Sequence, residues 1–165
     1  MCVIRSLENA DHPGLLRMNA ANVPAVARLD EAELLRLAAI GDSHRVALDA
    51  GRKMLGYVLA FTSGDPYDGG EFRHLMTKLR LPFLYVDQLA IDGSGRRRGI
   101  GRALYESLAG LARRRQLGLL CCEVNVNPSN PDSMAFHLHM GFAQIASMTV
   151  NDGRTVALMT RELQA

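Results

Sequence analysis

Residues 83–115 constrain the fold more tightly than any other part of the chain. Positions 83–91 are apolar and rich in strand formers, which suits a central, buried strand. They run directly into Asp92-Gly93-Ser94-Gly95-Arg96-Arg97-Arg98-Gly99-Ile100-Gly101, a turn dense in glycine and arginine. Ile100, Ala103, Leu104, Leu108, Leu111 and Ala112 then recur at helical spacing. Arg113, Arg114 and Arg115 close that helix, where cations suit the dipole, and Gly118 is expected to end it. A further apolar strand is predicted over 119–126. A strand–helix–strand order of this kind requires a crossover, so at least part of the sheet is not a simple meander.

The flanking segments supply the rest of one mixed sheet. Residues 3–7 read as a first strand. A helix is predicted from the Asp11 cap, with Pro13 in its first turn, to about Asn19, and 19–24 read as a loop. Asp30, with Glu33 three residues on, caps a second helix that stops near Gly41. Strands over 43–48 and 54–61 form a hairpin across 49–53. A polar loop follows, then a short helix over 71–79. After 126, two prolines and a cap precede a helix over 133–140, which Gly141 ends. Strands over 142–150 and 154–160 close the chain as a hairpin on Asn151-Asp152-Gly153. The fold class expected is α/β: one mixed sheet with helices on both faces, in a single domain spanning 1–165.

Composition excludes several classes. The formal net charge is only +2, which does not suggest a nucleic-acid protein. The arginine clusters at 96–98 and 113–115 fall at opposite ends of one helix and do not make one patch. No apolar run is long enough to span a membrane, and the first residues carry no apolar leader core. Cys2, Cys121 and Cys122 are odd in number and contain no Cys-x-x-Cys pair. Buried, reduced thiols in a cytoplasmic protein are expected, with adjacent Cys121 and Cys122 on opposite faces of their strand. The histidines show no metal-ligand spacing, and no metal site is expected.

The turn at 92–101 has the chemistry of an anion site. The first turn of a helix carries unpaired N–H groups and a partial positive charge. Gly99 and Gly101 are expected to let an anion approach the main chain, and three arginines add attraction. A Walker loop requires Gly-Lys followed by Ser or Thr, which is absent, and a dinucleotide fingerprint wants a glycine where Leu104 stands.

Arg96-x-x-Gly99-x-Gly101 resembles the Gln/Arg-x-x-Gly-x-Gly/Ala motif of the GNAT superfamily of N-acetyltransferases. Leu89-Ala90-Ile91-Asp92 looks like that family's bulged central strand. Downstream, Asn130-x-x-Ser133-x-x-Phe136-His137-x-x-x-Gly141-Phe142 is similar to its Asn-x-x-Ala-x-x-Phe-Tyr-x-x-x-Gly-Phe element. The 22–30 stretch resembles a bacterial branch of predicted acetyltransferases. The resemblance implies a mostly antiparallel mixed sheet of six or seven strands and acetyl-CoA as acyl donor. It implies that main-chain groups of Leu89, Ala90 and Ile91 pair with the pantetheine arm. The N–H groups of Arg96, Arg97, Arg98, Gly99, Ile100, Gly101 and Arg102 would hold the pyrophosphate, and Asn130 and His137 would border the cofactor.

Transfer to an amine needs a proton acceptor, because an alkylamine is protonated near neutral pH. Glu123, in an otherwise apolar strand, and Asp87 are the two candidate bases. Period-two counting places 85, 87 and 89 on one face before any bulge. His137 stands where the family has a tyrosine acid, a departure that leaves its role open. Asn19 and Asn22 are expected beside the acceptor groove, with Tyr67, Asp68 and Glu71 as a lid or wall. Phe72, Phe83 and Phe142 read as core. The acceptor is expected to be a small-molecule or peptide amine, and the closing strands are candidates for pairing in a homodimer. A non-catalytic acyl-CoA sensor on the same fold is the alternative.

Overall fold

A computed structural model describes residues 1–164. Seven strands form one sheet: β1 (Val3–Ser6), β2 (Arg45–Leu48), β3 (Met54–Thr62), β4 (Phe83–Ile91), β5 (Leu119–Asn127), β6 (Ala143–Thr149) and β7 (Thr155–Glu162). Their order is β1-β2-β3-β4-β5-β7-β6. Only the β4–β5 pair is parallel. Five helices connect the strands: α1 (His12–Asn22), α2 (Glu31–Ile40), α3 (Gly70–Lys78), α4 (Ile100–Arg114) and α5 (Pro131–His139). The mixed, mostly antiparallel sheet covered on both faces agrees with the sequence.

Side-chain alternation splits the interior into two apolar layers. Leu84, Val86, Leu120 and Cys122 face α4, which buries Ile100, Leu104, Tyr105, Leu108, Leu111 and Ala112 against them. Tyr57, Phe61, Phe83, Tyr85 and Cys121 face the layer containing Leu15, Leu34, Leu37, Phe72 and Leu75 from α1, α2 and α3. The adjacent cysteines therefore lie on opposite faces, and burial pushes both thiols up from the ordinary range.

Local chemistry sets most of the boundaries. Asp30 Oδ1 accepts from the Glu33 N–H at 2.8 Å and starts α2. Gly141, at φ +89°, ends α5 in the left-handed conformation. Three helix boundaries differ from expectation by more than one residue. Helix α1 runs through 20–22, because two alanines favour it and Asn22 Nδ2 donates back to the Met18 carbonyl at 2.8 Å. Val23, ahead of Pro24, is extended and stops it. Helix α5 begins at Pro131, which needs no N–H donor at that position. Helix α4 ends before Gly118. Gln116 takes φ +58°, its N–H donates to Arg113, and that of Leu117 donates to Ala112. That is a Schellman ending made without glycine. A side chain at 118 would instead meet Leu81.

The feature that positions the site is a bulge. Leu59 on β3 faces Gln88 on β4, but the next residue, Ala60, faces Val86. Asp87 is the extra residue. Beyond it the phase of β4 inverts. Tyr85 belongs to the α1–α3 layer, whereas Leu89 packs against the α4 layer and Ala90 against the other. The expectation that 85, 87 and 89 share a face fails at 89 for this reason. The bulge also lies upstream of the 89–92 stretch where the resemblance placed it.

Candidate active site

Strands β4 and β5 are hydrogen-bonded through only four residue pairs, from Phe83–Leu119 to Val86–Cys122. Past that point β4 continues along β3 and β5 along β7. The strands diverge where the bulge bends β4, leaving the 88–91 main chain without a partner on its β5 side among the described residues. A cleft of about 900 Å³ opens there. The 88–91 segment lines one wall, the turn leading into α4 lines its end, and Asn125, Asn130 and His137 line the other wall.

One end of the cleft is built from main chain. Gly99, at φ +76°, is the N-cap of α4 and carries no capping side chain. The first helical bond is the Ala103 N–H to the Gly99 carbonyl at 2.9 Å. The N–H groups of Ile100, Gly101 and Arg102 therefore have no acceptor among the described residues. Arg97 also holds a positive φ, 60°. The two glycines prove to serve different needs. A Cβ at 99 would meet nothing within 4 Å, so the backbone angle is what requires glycine there. A Cβ at 101 would lie 3.1 Å from Phe136 Cζ, so Gly101 makes room for the α5 ring. Arg97 and Arg98 are exposed. Arg96 Nη2 donates to Asn22 Oδ1 at 3.3 Å across the mouth. Asn130 Oδ1 caps α5, accepting from the Ser133 N–H at 3.2 Å, and its amide hydrogens are available to a ligand.

The other end is built from side chains. Glu123 on β5 and Asp87 at the bulge both line the cleft. Tyr85 donates to Glu123 Oε2 at 3.1 Å, and Tyr67 donates to Asp87 Oδ1 at 2.6 Å while stacking on Phe61 at 3.9 Å. Burial, with Glu71 and Asp87 nearby, pushes the Glu123 carboxyl up to about 9. Burial pushes Asp87 up to about 6, against the hydrogen bond from Tyr67. Glu123 thus keeps its proton at neutral pH, and Asp87 is ionised there.

His137 is held on both ring nitrogens. Nδ1 lies 2.7 Å from the Ser133 carbonyl, which can only accept, so Nδ1 carries the hydrogen. Nε2, 2.8 Å from the Tyr105 hydroxyl, then accepts from it. Burial lowers the imidazole pKa and keeps this neutral tautomer. Neither ring nitrogen presents a hydrogen to the cleft.

The model of the Acetyltransferase (GNAT) family matches residues 7–142. The chain belongs to the GNAT acetyltransferase family. Its enzyme class is that of the GNAT N-acetyltransferases. The fold agrees with solved structures over nearly the whole chain. Ard1 from Thermoplasma volcanium superposes with a TM-score of 0.79 at 20% identity, covering 99% of each chain. The ribosomal-protein-S18-alanine N-acetyltransferase from Escherichia coli gives 0.69 at 20% identity, covering 100% of this chain and 96% of that one. Chaetomium thermophilum Naa20, solved with a bisubstrate analogue, gives 0.78 at 17% identity, covering 98% and 86%. No curated protein sequence matches this GNAT chain.

Of the residues expected at the site, the fold brings Asp87, Glu123, the 89–91 and 96–102 stretches, Asn130 and His137 to one cleft, although Arg98 does not line it. Asn22 borders it, but Asn19 does not. Asn19 is fully buried, donates to the Ala27 carbonyl, Tyr57 and Gln88, and accepts from the Leu29 N–H. Sequence reasoning missed Tyr105, Gln88 and Arg154. Tyr105 reads as one more member of the α4 core stripe. Gln88 was hidden by the bulge. Arg154, tied to Asn125 Oδ1 at 2.9 Å, stands just before the last strand of a hairpin that was read only as the closing edge of the sheet.

Proposed function

We propose that residues 1–165 act as one N-acetyltransferase domain that moves an acetyl group directly from acetyl-CoA to an amine. The observation that carries this reading is the early end of β4–β5 pairing, which leaves an unpaired strand edge leading straight to the bare N-terminus of α4. An extended arm ending in a pyrophosphate fits that path, with amide groups along 89–91 for the arm and N–H donors at 99–102 for the phosphates. Asn130 offers its amide hydrogens beside it. Acetyl-CoA supplies the activated acyl group as a thioester.

The protein's own residues handle the amine. An ammonium arriving between Asp87 and Glu123 is held by the ionised Asp87. Its positive charge draws the Glu123 pKa down, so Glu123 releases its own proton to solvent and, as a carboxylate, can take one from the ammonium. Tyr85 and Tyr67 fix the two carboxyls. His137 serves as a positioning residue for Tyr105 in this reading, not as the proton donor. The acceptor is a small-molecule or peptide amine, and buried free thiols suit a reducing, cytoplasmic setting.

The test is release of free thiol from acetyl-CoA across a panel of small amines and peptides with free amino termini, alongside thermal unfolding with the cofactor. A raised Tm with turnover of at least one amine supports the enzyme. A raised Tm without turnover of any makes the chain an acyl-CoA sensor. No Tm shift at saturating acetyl-CoA overturns the cofactor assignment.

A further inference from the structure

A second cavity, of about 410 Å³, shares no lining residue with the cleft. It lies where the start of α1, the end of α2 and the end of α4 meet around the first residue of β2. Its lining is mostly polar, and it holds an unusual cation.

Arg45 begins β2 and is only 8% exposed. Its Nη1 donates to the carbonyls of Asp42, at 3.0 Å, and His44, at 2.8 Å. It forms no ion pair among the described residues, and its Nε and Nη2 donate to no protein group there. Every fully shielded side-chain nitrogen or oxygen among these residues has a partner. Nε and Nη2 therefore face open space, and Arg45 lines this cavity. These two nitrogens form the edge of the guanidinium that binds a carboxylate or phosphate with two parallel hydrogen bonds.

The surroundings do not neutralise it. Arg115, at the end of α4, brings a second guanidinium to the cavity. It donates to Asp42 Oδ1 at 2.7 Å and to Ser43 Oγ at 3.3 Å. Asp42 is thus engaged by Arg115, and its side chain is 78% exposed. His44 donates from Nε2 to the Leu37 carbonyl at 3.2 Å and accepts at Nδ1 from the Ala60 N–H, so it stays neutral. Burial lowers the Arg45 pKa, the nearby Asp42 offsets part of that, and Arg115 and Arg114 lower it further. A buried cation without its own counter-charge is costly, and an anion removes that cost.

We propose that this cavity is a binding site for a small oxyanion, a carboxylate or a phosphate group, gripped by Arg45 with Arg115 at its rim. The site is independent of the catalytic cleft. The test is residue-resolved NMR of the full chain in phosphate-free buffer, titrated separately with sodium phosphate and sodium succinate, with sodium chloride holding ionic strength constant. Saturable shifts of Gly41, Asp42 and the His12 ring, in either arm, are expected. The arm with the lower Kd identifies the ligand class. Arg115→Gln should weaken that binding roughly tenfold, the loss of one charge-assisted contact. Arg45→Lys should weaken it more, because the charge remains and the two-nitrogen edge is lost. Linear shifts in both arms, saturable shifts confined to 96–102, or binding that Arg115→Gln and Arg45→Lys both leave unchanged would each overturn the proposal. Amide spectra of each variant report whether it is folded, so Arg115→Gln decides the matter if Arg45→Lys is not.

Discussion

The two ends of the β4–β5 cleft are made of different material. The α4 end presents main-chain N–H groups on a frame set by one left-handed glycine, and its arginine side chains mostly point to solvent. The β5 end presents two carboxyls, each held by a tyrosine and raised by burial. Backbone donors recognise a phosphate whatever the side chains are, provided the turn keeps its shape. Carboxyls in a buried wall act through their pKa, and each neighbour matters. The first end should be sensitive to backbone geometry and tolerant of charge removal. The second should be sensitive to single atoms.

The harshest way to break this contrast is Glu123→Gln, which keeps the shape and removes the base. A fall in kcat of about 10²–10⁴-fold is expected, with KM for acetyl-CoA unchanged. The pH–rate profile of the variant should lose its limb near 9 and retain one near 6, from Asp87. An unaltered profile would move proton acceptance away from Glu123. The same variant has a stability signature. Folding raises this pKa to about 9 from 4.5, so the unfolded chain ionises first, and stability falls as pH climbs between those values. The Tm advantage of Glu123→Gln over the parent should therefore grow from pH 5 to pH 8.

Next in size is Gly99→Glu, which forces a side chain into φ +76° and sets a negative charge at the donor end. Calorimetry should show acetyl-CoA affinity down roughly a hundredfold, from about 1–2 kcal/mol of backbone strain plus repulsion. Tyr105→Phe probes the wall between the two ends. It leaves His137 Nε2 buried without a donor and should cost about 1–3 kcal/mol of stability, read from denaturant unfolding. The smallest effect belongs to Arg97→Ala combined with Arg98→Ala. Affinity should drop only a few-fold, and the drop should vanish at high salt. A salt-independent loss as large as that of Gly99→Glu would erase the distinction between backbone and side-chain recognition.

The sequence revealed the two ends unequally, for the same reason. Main-chain geometry is encoded by residues that control φ and by their order along the chain, so the turn at 96–101 and the helix start after it were legible. Strand β4 was legible to the residue, because apolar runs bounded by turns are local signals. The acceptor end depends on which strands adjoin and where they part. Tyr67 reaches Asp87 across 20 positions, and Tyr85 reaches Glu123 across 38. No local pattern announces either contact. The packing role of Gly101 was not legible, because its close neighbour, Phe136, comes from a different helix. The end of α4 was misread because Gln116 took a conformation that glycine usually supplies.

The single extra residue at Asp87 has a consequence for how this chain can vary. It works like a frameshift in side-chain direction. Residues before it are written in one phase and residues after it in the other, and both phases are satisfied at once by the layers on either side. Leu84 and Val86 serve the α4 layer in the first phase, and Leu89 and Ile91 serve the same layer in the second. Deleting one residue here would not merely shorten the strand. It would leave Gln88 on the α1 side and Leu89 on the α4 side, as they are now, but it would remove a carboxyl and restore the straight pairing that closes the cleft. A deletion at this point is therefore barred by the chemistry of the cleft and not by the core, while substitutions of similar size within either phase remain open.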